Sequence, residues 1–415
     1  MRAAIICILT LLFLPAGARA EDMQITLKDL EVEALKNNPE IQMAEKRAES
    51  AGERKTLAAA APDPEIGYAI KNVGGLSTST VGKEEMSMQG WVFTQEIPFP
   101  GKLGAKGNAA RKQSEREHEN AREMKLRVLN NLRAAYYEYH FLFRSSEILE
   151  QTKELMKNFQ HIAETRYSTG QGMQQDVLRS QLEVSMILDK LAELEQKKEA
   201  QAGLINSLVG RSPLASLGRP ADLARTSTGR SMDDMAAMAL AHSPALHGKQ
   251  RMVEQSEFEL SMSRREYLPD FVVSAGRFTR GDFKDFYEAS VMLKVPLYFW
   301  NKSAGVRAAS ADLSASRYDL EAARLMTLTR VRELYSMMRT SEHHIHLYES
   351  GIIPQARLAL QSTTSNYQVG KTDFTALLES QNLLLKYRLM EQEELVNLNK
   401  TMSMLGEITG EEHAN

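Results

Sequence analysis

The feature that most constrains this chain is an internal duplication. Thr26 and Asp29 carry a helix-start signature that returns as Ser231 and Asp234, 205 residues later. Asn38-Pro39 returns as Ser243-Pro244 and Pro64-Glu65 as Pro269-Asp270 at the same offset. Further on the offset becomes 200: Tyr167-Ser168-Thr169-Gly170 matches Tyr367-Gln368-Val369-Gly370, and Ser180-Gln181 matches Ser380-Gln381. Several matches in order, at nearly constant spacing, mark two copies of one unit. The copies span 21–215 and 231–408, joined by a linker at 216–230 and followed by a tail at 409–415.

Each copy presents the same order of local signals. A capped helix of about 35 residues comes first. Two β-like stretches follow, at 65–71 and 86–98 in the first copy and at 270–278 and 287–297 in the second. A long helical run leads to a turn at Gly170 or Gly370, and a second helical run returns. In Tyr287–Leu297 the odd positions Tyr287, Ala289, Val291, Leu293, Val295 and Leu297 are apolar. The even positions Glu288, Ser290 and Lys294 are polar. That period of two predicts a strand with one apolar face, of a length suited to a barrel. The alternation at 86–98 is weaker and places Trp91, Phe93 and Ile97 together. Four strands cannot close a barrel, and open sheet edges cannot sit in lipid. Closure requires several chains about a cyclic axis, and three chains supply twelve strands.

The run Leu103–Arg166 has no proline and is rich in Ala, Leu, Glu, Gln, Lys and Arg. At 1.5 Å per residue it approaches about 100 Å. Ala304–Asn366 is its counterpart, with a kink expected at Pro354. Apolar residues three and four apart, such as Leu126, Leu129, Leu132 and Tyr136, predict side-by-side coiled-coil packing.

Residues 1–20 read as a cleaved export signal: Arg2, the apolar run Ala3–Leu14, and Ala18-Arg19-Ala20 before the cleavage point. The single cysteine, Cys7, lies within it. The mature chain therefore has no thiol for a disulfide, a thiolate metal site or a lipid anchor at Glu21. Loss of Arg2 and Arg19 takes the net charge from −3 to −5, which gives no basis for nucleic-acid binding. No phosphate-binding glycine loop, nucleophile elbow or His-Glu-x-x-His is present, so no catalytic role and no cofactor are expected.

The motifs resemble those of the TolC family of outer-membrane efflux proteins over about Thr26 to Gly406. Gln95–Leu103, with Pro98, Pro100 and Gly101, is similar to the family's strand-to-helix junction. Val295–Lys302, with Pro296, is its second copy. The turns Arg166–Gly170 and Asn366–Gly370 are similar to the helix–helix turns at the periplasmic end. The resemblance implies a mainly α fold with a β-barrel part: a homotrimer with a twelve-stranded outer-membrane barrel in lipid and a periplasmic helical barrel. It implies a periplasmic adaptor docking on Tyr167, Gly170, Tyr367, Val369 and Gly370, and an inner-membrane pump. An acidic ring at the pore is implied by family pattern, with Asp176, Asp373 and Glu379 as candidates. Ala376 departs from that pattern. The junction Pro98–Lys102 and Ile353-Pro354-Gln355-Ala356 resemble members paired with heavy-metal pumps of the resistance-nodulation-division class. Cargo remains open between metal cations, small toxicants and, as in type I secretion, polypeptides. A periplasmic coiled-coil scaffold without a channel is the rival from another class. His343, His344 and His346 are read as a polar patch and not a metal site. Met232, Met235 and Met238 are read as core, and Trp91, Tyr298, Phe299 and Trp300 as a membrane-interface girdle.

Overall fold

A computed structural model describes residues 24–74, 80–225 and 229–411. The export signal expected at 1–20 lies outside the described residues. Helices α1 (Leu27–Asn37) and α2 (Pro39–Ala59) precede strands β1 (Glu65–Lys71) and β2 (Met88–Ile97). Helices α3 (Lys102–Ser168) and α4 (Gln174–Val209) complete the first copy. The second copy runs α5 (Met232–His242), α6 (Pro244–Arg265), β3 (Asp270–Arg280), β4 (Phe283–Lys294), α7 (Phe299–Leu347), α8 (Ile353–Gln368) and α9 (Phe374–Thr409). Two compact units result, and they cut across the repeats. One gathers 24–38, 131–225 and 341–400; the other gathers 39–130, 229–340 and 401–411.

The capping residues act as their types dictate. Thr26 accepts the Asp29 N–H at 3.2 Å, and Ser231 with Asp234 forms a reciprocal capping box. The single helix of about 35 residues expected at each start is instead two helices. Asn38 and Ser243 both precede proline and adopt extended ψ values of 124° and 118°, because the proline ring excludes the helical conformation before it. Asn38 then turns its buried amide to the Leu208 carbonyl at 2.8 Å, fastening α1 to the end of α4. That end closes on Gly210, at φ +82°, where an added Cβ would stand 2.7 Å from the Asn37 carbonyl oxygen. Gly410, at φ +75° and equally close to the His242 carbonyl, repeats the device in the other unit.

The kink expected at Pro354 is a five-residue π-helical turn, Tyr348–Ile352, inserted before it. Proline offers no N–H to the carbonyl four residues back. The backbone widens instead, and Ile353 N–H reaches the Tyr348 carbonyl five residues back. In the first unit, one core packs Met156, Phe159, Leu360, Tyr367, Phe374 and Leu377 together. A second joins Leu30, Ala34, Leu132, Tyr136, Ile205 and Val396. Residues 219–221 of the linker pair with Ile25, and Tyr136 Oη donates to the Ile25 carbonyl at 3.0 Å beneath them.

In the second unit the four strands form one antiparallel sheet in the order β1-β2-β3-β4. The two repeats therefore join through β2 and β3, in register from Gln89↔Thr279 to Ile97↔Phe271. Strand β4 begins at Phe283, four residues before its alternating stretch, and stops at Lys294, ahead of Pro296. It begins early because Arg280 pairs with Phe283 across a tight turn at Gly281. It ends early because Pro296 cannot donate to a ladder. Pro98, Pro100 and Gly101 (φ +91°) occupy the exit from β2. There Lys102 Nζ, nine-tenths buried, holds the Asp270 carboxylate at 2.8 Å, and Asp270 also accepts the Phe99 N–H at 2.7 Å.

His140 on α3 is buried, its Nε2 without a hydrogen bond and 4.0 Å from Asp222. Burial, reinforced by the Arg144 and Arg219 charges against the opposing pull of Asp222 and Glu147, lowers its pKa to about 4. The unfolded chain takes up that proton near pH 6.5 and the folded chain does not. The stability contribution is thus intact above about pH 6.5 and is lost as pH falls toward 4, by at most about 1.4 kcal/mol per pH unit. Denaturant midpoints measured between pH 7.5 and 4.5 should fall less steeply for His140→Phe than for the unsubstituted protein.

Candidate functional site at the paired helical turns

The turns at 166–173 and 366–373 belong to the same unit and close in the same way. Gly170 and Gly370 both have φ +74°, which a residue with a Cβ adopts only under strain. Gln171 N–H returns to the Arg166 carbonyl at 2.8 Å, and Lys371 N–H to the Asn366 carbonyl at 2.8 Å. These six-to-one closures leave α4 and α9 to start at equivalent residues, Gln174 and Phe374.

The side chains break this symmetry. Arg166 in the first turn lies where the second has Asn366. Its guanidinium donates to the Tyr367 carbonyl, to the Gln368 carbonyl at 3.2 Å and to the Gln171 carbonyl at 2.9 Å. It also stacks 5.0 Å from the centre of the Tyr367 ring. Tyr367 is 2 % exposed, whereas its counterpart Tyr167 is 49 % exposed. The Tyr367 hydroxyl donates to Asp176 Oδ2 at 3.1 Å. Burial, then the adjoining Asp176 carboxylate, pushes that phenol's pKa well up, so it stays a donor. One residue set, Arg166–Tyr367–Asp176, thereby fastens both turns together. Arg179 Nη1 donates to Thr375 Oγ1 at 2.7 Å one helical turn further on.

The candidate acids are engaged differently. Asp176 holds Tyr367. Asp373 caps α9 by accepting the Ala376 N–H at 2.9 Å. Glu379 is exposed, and no hydrogen bond or ion pair occupies it among the described residues. Val369 and Met173 are exposed apolar residues at the turns, at 67 % and 69 %. Arg166 was part of the sequence motif without a role of its own. The signal that points to it is the departure from repeat symmetry at that position. Among the described residues no group of three or more His, Cys, Asp or Glu is placed to hold a metal ion. His344 Nδ1 lies 3.1 Å from Glu394, which also accepts from Ser341.

A family profile described as outer membrane efflux protein matches residues 30–210 and 235–403, one stretch in each copy. The chain belongs to the outer membrane efflux protein family. Its fold is similar to that of CusC, with a TM-score of 0.81, 15 % identity, and coverage of 96 % of this chain and 95 % of that one. It is similar to VceC of Vibrio cholerae at 0.80 and 18 %, covering 92 % and 96 %. It is similar to the outer-membrane channel OprN at 0.79 and 17 %, covering 92 % and 89 %. A sequence comparison with curated proteins gives no match. These family members and structural neighbours are channel proteins and not enzymes. Family and fold together mark the chain as a channel component of an efflux system.

Arg166→Ala removes three carbonyl contacts and the ring contact. A local loss of about 2 kcal/mol is expected, or about thirtyfold faster amide exchange confined to the two turns. Hydrogen-exchange mass spectrometry of peptides covering 162–178 and 362–378 checks this, and unchanged protection would remove Arg166 from the fastening role.

Proposed function

We infer that the chain is the outer-membrane duct of a tripartite efflux system, assembled as a homotrimer whose three sheets close a twelve-stranded barrel. The observation that carries this reading is the curl of the sheet. Lys71 on the first strand ion-pairs with Glu288 on the fourth, and Lys294 on the fourth reaches Glu96 on the second at 3.1 Å. Such contacts pass over intervening strands, so the face bearing them is concave. That face also holds the Ser274–Ser290 hydroxyl contact at 2.7 Å. The other face exposes Tyr68, Trp91, Phe93, Tyr287, Val291 and Leu293. A concave face that carries the ion pairs, with Phe278, Phe286 and Met292 among them, and a largely apolar convex face are consistent with a water-filled lumen within lipid. The exposed pairs Tyr68–Trp91 and Tyr298–Trp300, in edge contact at 5.1 and 5.3 Å, suit an interfacial girdle.

The helical part then extends into the periplasm, and the paired turns form the end that meets a periplasmic adaptor. Tyr167, Val369 and Met173 offer the apolar contact there, and Gly170 and Gly370 shape it. The Arg166–Tyr367–Asp176 fastening holds each chain's two turns together until docking. An inner-membrane pump of the resistance-nodulation-division class supplies energy, since the duct has no means of its own. Cargo is heavy-metal cations or small toxicants, chosen by the pump. Repeated threefold, Glu379 supplies the free carboxylate of an acidic ring, while Asp176 is engaged by Tyr367 of the other turn and Asp373 by the Ala376 N–H.

A deletion strain should become sensitive to copper, silver, zinc or cobalt salts, and its product should need detergent and run at three times the mass of one chain. Broad sensitivity to dyes and antibiotics would replace the metal cargo. A water-soluble product would replace the channel with a periplasmic scaffold. In planar bilayers, Glu379→Gln should lower the cation-to-anion permeability ratio about twofold or more. An unchanged ratio would remove Glu379 from the ring.

A further inference from the structure

Beside the π-helical turn lies a cavity of about 450 Å3, within the first unit and walled mostly by charge. Arg144 of α3, Arg357 of α8 and Arg388 of α9 line it, with Glu147, Glu349 and Glu391. Equal numbers of charges suggest balance, but the pairing leaves a remainder. Glu147 is held by Arg144 at 2.9 Å and by Arg219. Glu349 is held by Arg225 at 3.5 Å. Among the described residues Arg388, partly buried, has one hydrogen bond, to Gln151 Oε1 at 2.9 Å. Arg357 makes no hydrogen bond or ion pair among the described residues.

The electrostatics agree with a missing counter-charge. Burial, then the Arg357 cation, hold the Arg388 pKa below its usual value, with Arg144 adding to them and Glu391 opposing. Burial, then Glu349, raises the Glu391 carboxyl against the opposing pull of Gln392, Arg388 and Arg144. Each guanidinium presents five N–H donors in a planar fork suited to an oxyanion. The cavity exceeds about ten water volumes, ample for a hydrated oxyanion. Its wall includes Glu349, Ile353 and Pro354, from the π turn and the residues that follow it. Such turns concentrate at functional positions.

We propose that this cavity binds a small oxyanion of the phosphate or carboxylate class, clamped between Arg357 and Arg388 so that the ion ties α8 to α9 beside the π turn. The clamp supplies charge-assisted bonds that the protein's own carboxylates leave unmade. Glu391 opposes the ion, and removing its charge strengthens the site.

The test uses the full-length mature protein in mild detergent, titrated calorimetrically with inorganic phosphate, sodium acetate and, at matched ionic strength, sodium chloride. Binding is read on purified protein, so the result stands apart from any test of efflux. Saturable millimolar binding of phosphate is expected, with a rise in melting temperature that chloride does not reproduce. Acetate binding as tightly as phosphate would assign the site to carboxylates, and phosphate alone would assign it to tetrahedral oxyanions. Arg357→Gln and Arg388→Gln should each weaken binding about tenfold or more, and Glu391→Gln should tighten it severalfold. In chloride, Arg357→Gln should melt no lower than the unsubstituted protein, because a repelling charge has gone. Arg357 has no hydrogen bond or ion pair among the described residues, so its variant decides the question if Arg388→Gln does not fold. Equal effects of chloride and phosphate, undiminished binding by Arg357→Gln, or no tightening by Glu391→Gln would each overturn the proposal.

Discussion

The backbone of a strand carries an N–H and a C=O that need partners on both sides, and the sheet of this chain has only four strands. Strands β1 and β4 end the order, with one ladder each. The sheet nevertheless curls strongly enough for side chains on its first and fourth strands to meet. A short, curled, one-layer sheet with an apolar convex face is unstable alone in water. Joining copies edge to edge satisfies the free ladders and continues the curl. In the proposed trimer the oligomer is therefore a consequence of backbone hydrogen bonding, and the polar lumen follows from which face curls inward.

Much of the architecture was legible in the sequence because its signals are local. Caps at Thr26 and Ser231, glycines at 170 and 370, and apolar alternation through Tyr287–Leu293 all act within a few residues. Errors came where a local signal met a second one nearby. Pro39 and Pro244 lie inside otherwise helical patterns, and each divides a helix by excluding the helical conformation from the residue before it. Pro354 also sits in a helical pattern, yet there the helix continues by widening to a π turn, because Tyr348 and Ile353 remain anchored in a packed core. Sequence pattern alone does not separate these outcomes. Tertiary packing does.

Pairings between distant segments were less legible. The joining of β2 to β3 unites the two repeats in one sheet, and nothing in the spacing of the motifs dictates it. The closure of Gly210 against Asn37 and of Gly410 against His242 was missed, although the two glycines stand 200 residues apart, in step with the turns. The arginines around the cavity come from α3 and, about two hundred residues later, from α8 and α9, and only the allocation of each carboxylate reveals which of them is left without a partner.

Duplication forces the two turns to share a backbone, and this makes their differences informative. The fastening between these two equivalent turns is built from unequal residues: an arginine donates to carbonyls across the pair, and a phenol donates to a carboxylate. Arg166 opposite Asn366 and Asp176 opposite Ala376 supply that inequality. They turn Tyr367 inward as the shared partner while Tyr167 remains at the surface. The same reasoning applies to Glu379 and its counterpart Arg179, which is committed to Thr375. Each repeat thus preserves glycine where geometry requires it and diverges where charge performs a task. In the proposed trimer, with the turns at its periplasmic end, the divergence would distinguish alternating hairpins. A ring of six alike would leave no contact whose loosening could be confined to one pair of turns.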